Sequence, residues 1–455
     1  YGGGSTVMAA TVESSNNKVQ KQKTVEARVK EIIKVEGLYF KDLNANKQLD
    51  PYEDWRLNAK ERATNLVSLM TADEKIGLLV INSRNMGMYQ KDKSLTSHNG
   101  LIDESVNMAE KSVLGVTSRY GTTTTIEKLH LRHFILRSNP KPGDMAEWIN
   151  AMNEIAEGTR LGIPVIVASN SRNENTESAF DFNESSGVFS TWPGTLGLAA
   201  AAKGDIKAGK DASLISEFSK IARSEWDACG LKKGYMYMAD VITDPRWQRS
   251  YGTMGEDPKF ISDAIGRIIE GFQGKELSEA SIGLTIKHFP GGGSRENGFD
   301  PHYEEGKWNV YSTPGSLEKY HLPPFQAAVK KGCSSIMPYY SMPSKEKSAQ
   351  QQFEGRNLDF TPQGFAYNKI FIQDVLRGML GFTGYINSDS GILTSMAWGV
   401  SNNDVPTRAA MAINNGVDII SDTNDIWSIK EAYLRGLLTD NAINRAAERT
   451  LKEMF

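Results

Sequence analysis

Three polar residues stand at the ends of short apolar runs and close to glycine. Lys287 and His288 close SIGLTIKHFP, and Asp389 closes GYINSDSG. A barrel of parallel strands gathers its chemistry at the C-terminal strand ends. Other runs end in the same way. IPVIVASN delivers Asn170, with Arg172 just beyond. MADVITDPRWQRSYGTMGEDP carries Arg246, Arg249, Glu256 and Asp257, and SSIMPYYS delivers Tyr339 or Tyr340. Arginine, lysine and imidazole groups can hold the hydroxyls of an uncharged polar substrate such as a sugar. A carboxylate among cations stays ionised, because its neighbours favour the charged form. In a dry pocket such a carboxylate can attack an anomeric carbon. A lone charged residue at a strand end is ordinarily a surface or ion-paired group, but five such ends converging by topology make a site. Glu256 and Asp257 read instead as caps of the helix that follows them.

The elements that must position these groups recur along the chain. Short apolar runs appear as GLLVIN, LRHFILR, IPVIVASN, GYMYMADV, GLTIKHF, SSIMPYY, GYINSD and VDIISD. Amphipathic stretches such as SLISEFSKIARSEWDACG and FISDAIGRIIEGFQG lie between them. Strand-like runs separated by amphipathic helices predict a parallel sheet, and eight of them predict an α/β fold of the (β/α)8 TIM-barrel type over residues 57–455. A doubly wound open sheet is the alternative, but no glycine-rich dinucleotide fingerprint follows any run. The helical periodicity of VEARVKEIIKVEG predicts an N-terminal helical extension, with a polar loop completing residues 24–56. Residues 1–23 are small and polar, like a flexible leader. Such leaders follow removed export signals and also cloning scars, and the first reading gives a periplasmic or secreted location. The last segment reads as two helices and then stops at Phe455, as though a linker and a further domain were absent from this chain.

The bulk numbers narrow the class. With 39% hydrophobic residues the 455-residue chain can bury a substantial core. A net charge of -3 gives no reason to expect a nucleic-acid or anionic-membrane partner. No apolar run approaches the ~20 residues needed to span a bilayer. Cys229 and Cys333 are the only cysteines. They exclude a disulfide framework, and their apolar neighbours predict buried, unreactive thiols.

Taken together, DPRWQRSYGTMGEDP, KHFPGGG and GYINSDSG, in this order and spacing, resemble the signature of glycoside hydrolase family 3, the β-glucosidases and their relatives. SLMTADEKIG and TWPGTLGLAAA fit the same family. The resemblance implies a retaining, exo-acting β-glycoside hydrolase on a (β/α)8 barrel, foremost a β-glucosidase, acting on a small carbohydrate without a cofactor for the chemistry. Asp389 takes the nucleophile's place. Arg249, Lys287, His288 and Tyr339 take places that in the family line the pocket for the non-reducing-end sugar. Asn170, with Arg172 beyond it, matches the position of the family's first pocket carboxylate. This change removes a charged acceptor and keeps β-N-acetylglucosaminidase-like and β-xylosidase-like specificities open. Ser390 stands where the family commonly has tryptophan.

A retaining glycosidase also needs a group that protonates the leaving oxygen. In most two-domain members of the family this is a glutamate of the second domain, so a second domain or chain is one expected partner. The bacterial N-acetylglucosaminidases of the family instead use an Asp-x-His pair after KHFPGHG. Here KHFPGGGSRENGFDPHYEEG contains Asp300-Pro301-His302, with Gly292 in place of the family's histidine, and Glu304 and Glu305 as further carboxylates. The competing readings are a Schiff-base lyase using Lys287 and a sugar-binding barrel without catalysis.

One motif lies outside this scheme. Residues 42–53, DLNANKQLDPYE, have the ligand spacing of a calcium loop: Asp42, Asn44, Asn46, the Gln48 carbonyl, Asp50 and Glu53. Lys47 stands where glycine is usual. The two readings are a structural calcium site and an ion-free Asx-turn loop packed on the barrel.

Overall fold

The computed structural model describes residues 5–7, 11–13, 19–106, 120–136, 140–170, 189–234 and 236–455. Eight parallel strands form one sheet: β1 (Val80–Arg84), β2 (His133–Leu136), β3 (Ile166–Ser169), β4 (Lys233–Gly234), β5 (Gly283–Phe289), β6 (Ser335–Pro338), β7 (Tyr385–Ile386) and β8 (Ile420–Ser421). Their spatial order is 7-6-5-4-3-2-1-8. A parallel bridge between Asn387 and Ile419 joins the two ends, so the sheet curls into the expected (β/α)8 barrel. Seven of the eight apolar runs of the sequence carry a strand, and GYMYMADV contributes only Gly234 to β4 and a parallel bridge from Met238 to Lys287. They lack polar alternation because helices cover the outer face while side chains fill the interior. That interior holds Ile81, Ile135, Ala168, Met337, Tyr385 and Ile419. Lys233 is also fully buried there, with its ammonium 4.2 Å from the Tyr385 ring centroid and 3.1 Å from Asn387 Oδ1.

The helices follow from local signals. Helix α1 (Ser213–Cys229) buries Ile215, Phe218, Ala222, Trp226 and Cys229, a stripe at helical spacing, and ends at Gly230, whose φ of 84° closes the left-handed C-terminal turn. Helix α2 (Pro258–Gln273) starts on Asp257, which accepts from Lys259 N and Phe260 N as expected of a cap. The final segment forms α3 (Ile426–Leu434) and α4 (Asp440–Met454), the two helices read from the sequence. Both cysteines are buried, and burial pushes both thiols up, Cys229 with help from Glu225. Among the described residues no helix is long and apolar enough to cross a membrane.

The N-terminal extension differs from expectation. The stretch read as helical is stranded: Val25–Ala27 pairs antiparallel with Ser5–Val7, and Ile32–Val35 pairs with Leu38–Lys41. The turn is Glu36-Gly37, with φ of 51° and 79°, the two-residue turn that matches strand twist. Ile32, Ile33, Val35, Tyr39 and Phe40 are strand formers, and they override the 3.6-residue charge pattern. The residues read as a leader are also partly stranded, since Thr11–Glu13 pairs with Val19–Lys21.

Candidate active site

The site lies at the C-terminal ends of the strands. Asp389 follows β7 and is 9% exposed. Its Oδ1 accepts the Ser390 N–H at 2.8 Å, while its Oδ2 is buried without a well-formed hydrogen bond among the described residues, and the Tyr340 phenol lies beside the carboxylate. His288 Nε2 is 3.9 Å from that oxygen. An ionised carboxylate with one oxygen fixed and the other only loosely held is suited to attack an electrophilic carbon.

His288 is held on several sides. Its Nδ1 lies 2.8 Å from Asp240 Oδ2, its ring stacks on Tyr339 at 4.2 Å, and its Nε2 faces Arg249 Nη1 at 3.2 Å. Burial, reinforced by the Arg249 charge, holds its pKa well below the usual imidazole value. The neutral ring therefore donates Nδ1–H to Asp240 and accepts from Arg249 through Nε2, the only tautomer that suits both partners. Asp240 is fully buried and also accepts the main-chain N–H groups of His288, at 3.1 Å, and of Gly292. Burial pushes its carboxyl up against those hydrogen bonds.

Arg249 bridges this group to a second carboxylate. Its Nη1 donates to Tyr339 Oη at 3.4 Å. Burial disfavours the guanidinium charge, but Tyr339, Asp300 and Asp389 outweigh it and raise the pKa. Asp300 Oδ2 accepts from Trp247 Nε1 at 2.8 Å and from Tyr339 Oη at 3.2 Å. Its Oδ1 accepts the His302 N–H at 3.0 Å and bonds His302 Nδ1. Burial would raise the Asp300 carboxyl, yet His302 and Arg249 overcome it and hold the group below the usual carboxylate range. The Asp-x-His pair therefore forms as a buried, hydrogen-bonded unit. The His302 ring packs against Tyr340 at 4.8 Å. Tyr340's phenol is driven well above its ordinary range by burial and by the adjacent Asp389 carboxylate, so this one ring borders both candidate catalytic groups. Trp398 Nε1 donates to Pro301 O at 2.8 Å, tying the loop of the pair to the segment after β7.

Lys287 and Asn170 meet as expected, with Lys287 Nζ 3.4 Å from Asn170 Oδ1. The Lys287–His288 and Phe289–Pro290 peptides are cis. Tyr339 is fully buried and touches His288, Arg249 and Asp300. Arg246 pairs with Asp244 at the surface, and Glu304 pairs with Lys307 with its side chain 77% exposed, so neither belongs to the cluster. Arg172 lies outside the described residues. Sequence reasoning missed Asp240 and Arg295, whose guanidinium lies 5.5 Å from the Tyr339 ring centroid. Asp240 carries the same signal as the others, a carboxylate closing the apolar run YMYMA. The glycine at 292 also has a physical cause. A Cβ there would lie 2.6 Å from the Tyr339 ring and 3.1 Å from Asp240 Oδ1, so a histidine cannot fit.

Comparison with known proteins points the same way. The sequence profile described as Glycosyl hydrolase family 3 N terminal domain matches residues 72–452. Beta-glucosidase C of Emericella nidulans is 35% identical over 407 residues, covering 87% of this chain and 58% of the relative. A periplasmic beta-glucosidase/beta-xylosidase of Dickeya chrysanthemi is 32% identical over 459 residues, covering 95% and 64%. The chain thus spans about six tenths of the length of these curated relatives. Among solved structures, a β-glucosidase from Erythrobacter marinus superposes with a TM-score of 0.61 at 23% identity, over 89% of this chain and 46% of that one. A family 3 β-N-acetylglucosaminidase from Paenibacillus gives 0.60 at 19%, over 84% and 62%. At these identities the structural matches speak for the fold.

Proposed function

Since the chain belongs to glycosyl hydrolase family 3, we propose that it is a retaining β-glycosidase that releases the non-reducing-end sugar, foremost glucose, with Asp389 as nucleophile and His302 as proton donor. The observation that carries this reading is the buried, loosely held Oδ2 of Asp389, set 3.9 Å from a neutral His288 at the barrel mouth. In the first step Asp389 Oδ2 bonds to the anomeric carbon. The glycosidic C–O bond breaks, its electron pair passes to the leaving oxygen, and protonated His302 gives that oxygen a proton through Nε2. In the second step water attacks the anomeric carbon, His302 takes its proton, and the ester to Asp389 is released as carboxylate. Ionised Asp300 orients the imidazole through Nδ1. Arg249, Lys287 and Asn170 hold sugar hydroxyls, contacts that tighten in the oxocarbenium-like transition state, and His288 positions Arg249 for that role. The names of the Emericella and Dickeya relatives support glucose, with xylose as the nearest alternative, and the Dickeya name supports a periplasmic or secreted location.

Incubation with a 2-deoxy-2-fluoro-β-glucoside tests the assignment by mass spectrometry. The expected result is one fluoroglucosyl group on the peptide containing Asp389, absent in Asp389→Asn. A borohydride-trapped adduct on Lys287 would establish the lyase instead, and no adduct at all would leave a binding barrel.

A further inference from the structure

We infer that residues 42–53 bind a calcium ion that fastens the N-terminal hairpin to the face of the barrel opposite the active site. The loop runs from the hairpin strand Leu38–Lys41 into the turn Pro51–Glu53. Asp42 opens it and is only 2% exposed. Its Oδ2 accepts the Lys47 N–H at 2.9 Å across the loop, whereas its Oδ1 is buried with no hydrogen-bond partner. A buried carboxylate oxygen with no donor is costly and calls for a partner. Oδ2 is already committed to the loop's own main chain, which leaves Oδ1 as the atom in need of a partner. A cation there supplies the missing partner.

The other oxygen groups follow the order a calcium loop requires. Asn44 Nδ2 and Asn46 Nδ2 both donate to Asp50 Oδ2, at 2.7 and 2.8 Å, so two amides and a carboxylate already meet at one point. A cation on that oxygen replaces both donations, and rotation of the amides presents their oxygens to it. Glu53 turns its carboxylate back into the loop. It accepts from Leu43 N, from Asn44 N at 3.4 Å and from Asp50 N at 2.8 Å. Lys47 takes a φ of 62° at the sixth position, the place where calcium loops need glycine. The nearby Lys30 directs its ammonium to Thr159 O at 2.8 Å. Among the described residues no three His, Cys, Asp or Glu side chains converge on one metal-sized point. The site therefore depends on amide and main-chain oxygens, which suit a hard cation of flexible geometry such as calcium better than zinc.

The location gives the ion a structural role. Tyr52, at the eleventh position, is buried and donates to Leu161 O at 2.9 Å. A Cβ on Gly162 would lie 2.9 Å from Leu43 O, so the loop packs directly on the segment that enters β3. That is the N-terminal end of the strands, whereas Asp389 stands at the other end.

The test uses the whole chain after chelator treatment. Melting is followed in calcium, in magnesium and in EDTA at equal millimolar concentrations, and terbium luminescence sensitised through Tyr52 and Trp55 reports the ion directly. Calcium should raise the Tm by about 2–5 °C over EDTA, and terbium emission should saturate and be competed away by calcium. Asp42→Asn should weaken binding by about tenfold or more. Asn46→Ala, at an exposed position, should weaken it without threatening the fold. Turnover at 25 °C should be equal in calcium and EDTA. Identical melting in calcium and EDTA with no saturable terbium signal would overturn the site. So would a calcium shift that survives both substitutions undiminished, since the ion would then bind elsewhere. Neither readout depends on the chain being a glycosidase.

Discussion

Asp240→Asn isolates the hydrogen-bond logic around His288. The wild-type carboxylate accepts three N–H groups: His288 N and Gly292 N on Oδ1, and His288 Nδ1 on Oδ2. An asparagine can keep its oxygen toward the two main-chain donors, but its NH2 then faces Nδ1. The imidazole must move its proton to Nε2, where it meets the Arg249 Nη1 donor at 3.2 Å. The opposite amide orientation is worse, because it sets an NH2 against two main-chain donors. The change thus removes one charge-assisted hydrogen bond, about 1.5–3 kcal/mol, and sets donor against donor at the mouth of the site. If that loss falls on the transition state, kcat/KM for an aryl β-glucoside drops by about tenfold to a hundredfold. Stability should suffer less, because the substitution also relieves the burial of a charge, the effect that already pushes the Asp240 carboxyl up. The assays are kinetics with 4-nitrophenyl β-glucoside, thermal melting, and nitrogen NMR of His288 to identify its tautomer. Activity loss with a tautomer switch and a small change in Tm is the expected result. Wild-type kcat/KM, or a lost activity with the Nδ1–H tautomer retained, would refute the reasoning.

His302→Ala should cost little on aryl glycosides with acidic phenols, which leave without help, and on the order of a hundredfold or more on disaccharides. Equal effects on both would remove His302 as the donor and point to an acid outside this chain. The buried histidines predict acid sensitivity. Burial lowers the pKa of His133 to about 3 and of His321 to about 4, and that of His288 well below 6.5. Below the unfolded value of roughly 6.5 the unfolded chain binds protons that these rings refuse, so stability falls as pH falls. Each ring contributes a loss on the order of 2 kcal/mol by pH 5, partly offset by Asp240 and Asp418, whose raised pKa values act in the opposite sense. A Tm that stays flat from pH 6.5 to pH 5 would contradict this.

The barrel was legible because its strands are buried on both faces, and such strands appear in a sequence as uninterrupted apolar runs. The site was legible for the same reason, since a polar residue closing such a run has few places to go. The N-terminal hairpin was not. Its charges fall at spacings that also suit a helix, and only the Glu36-Gly37 turn and the β-branched residues distinguish the two. Burial depth was equally hidden. Tyr339 and Tyr340 are neighbours closing one run, and nothing in their order tells that Tyr339 turns toward His288 while Tyr340 borders His302 and Asp389.

That pair explains why the end of β6 matters to the whole site. Tyr339 stacks on His288 and joins Arg249 and Asp300, the groups proposed to hold the sugar and orient the proton donor. Tyr340 packs against the donor's ring and lies close to the nucleophile's carboxylate. Both rings are buried and tilted together at 5.8 Å, so neither can move without displacing the other. The same pair of rings therefore touches the proposed nucleophile, the proposed proton donor and the residues proposed to hold the sugar. In a retaining mechanism this coupling is useful, because attack and protonation must be aligned on the two sides of one glycosidic bond. Gly292 completes the arrangement, since only a residue without a side chain lets the loop after β5 close over Tyr339 and Asp240.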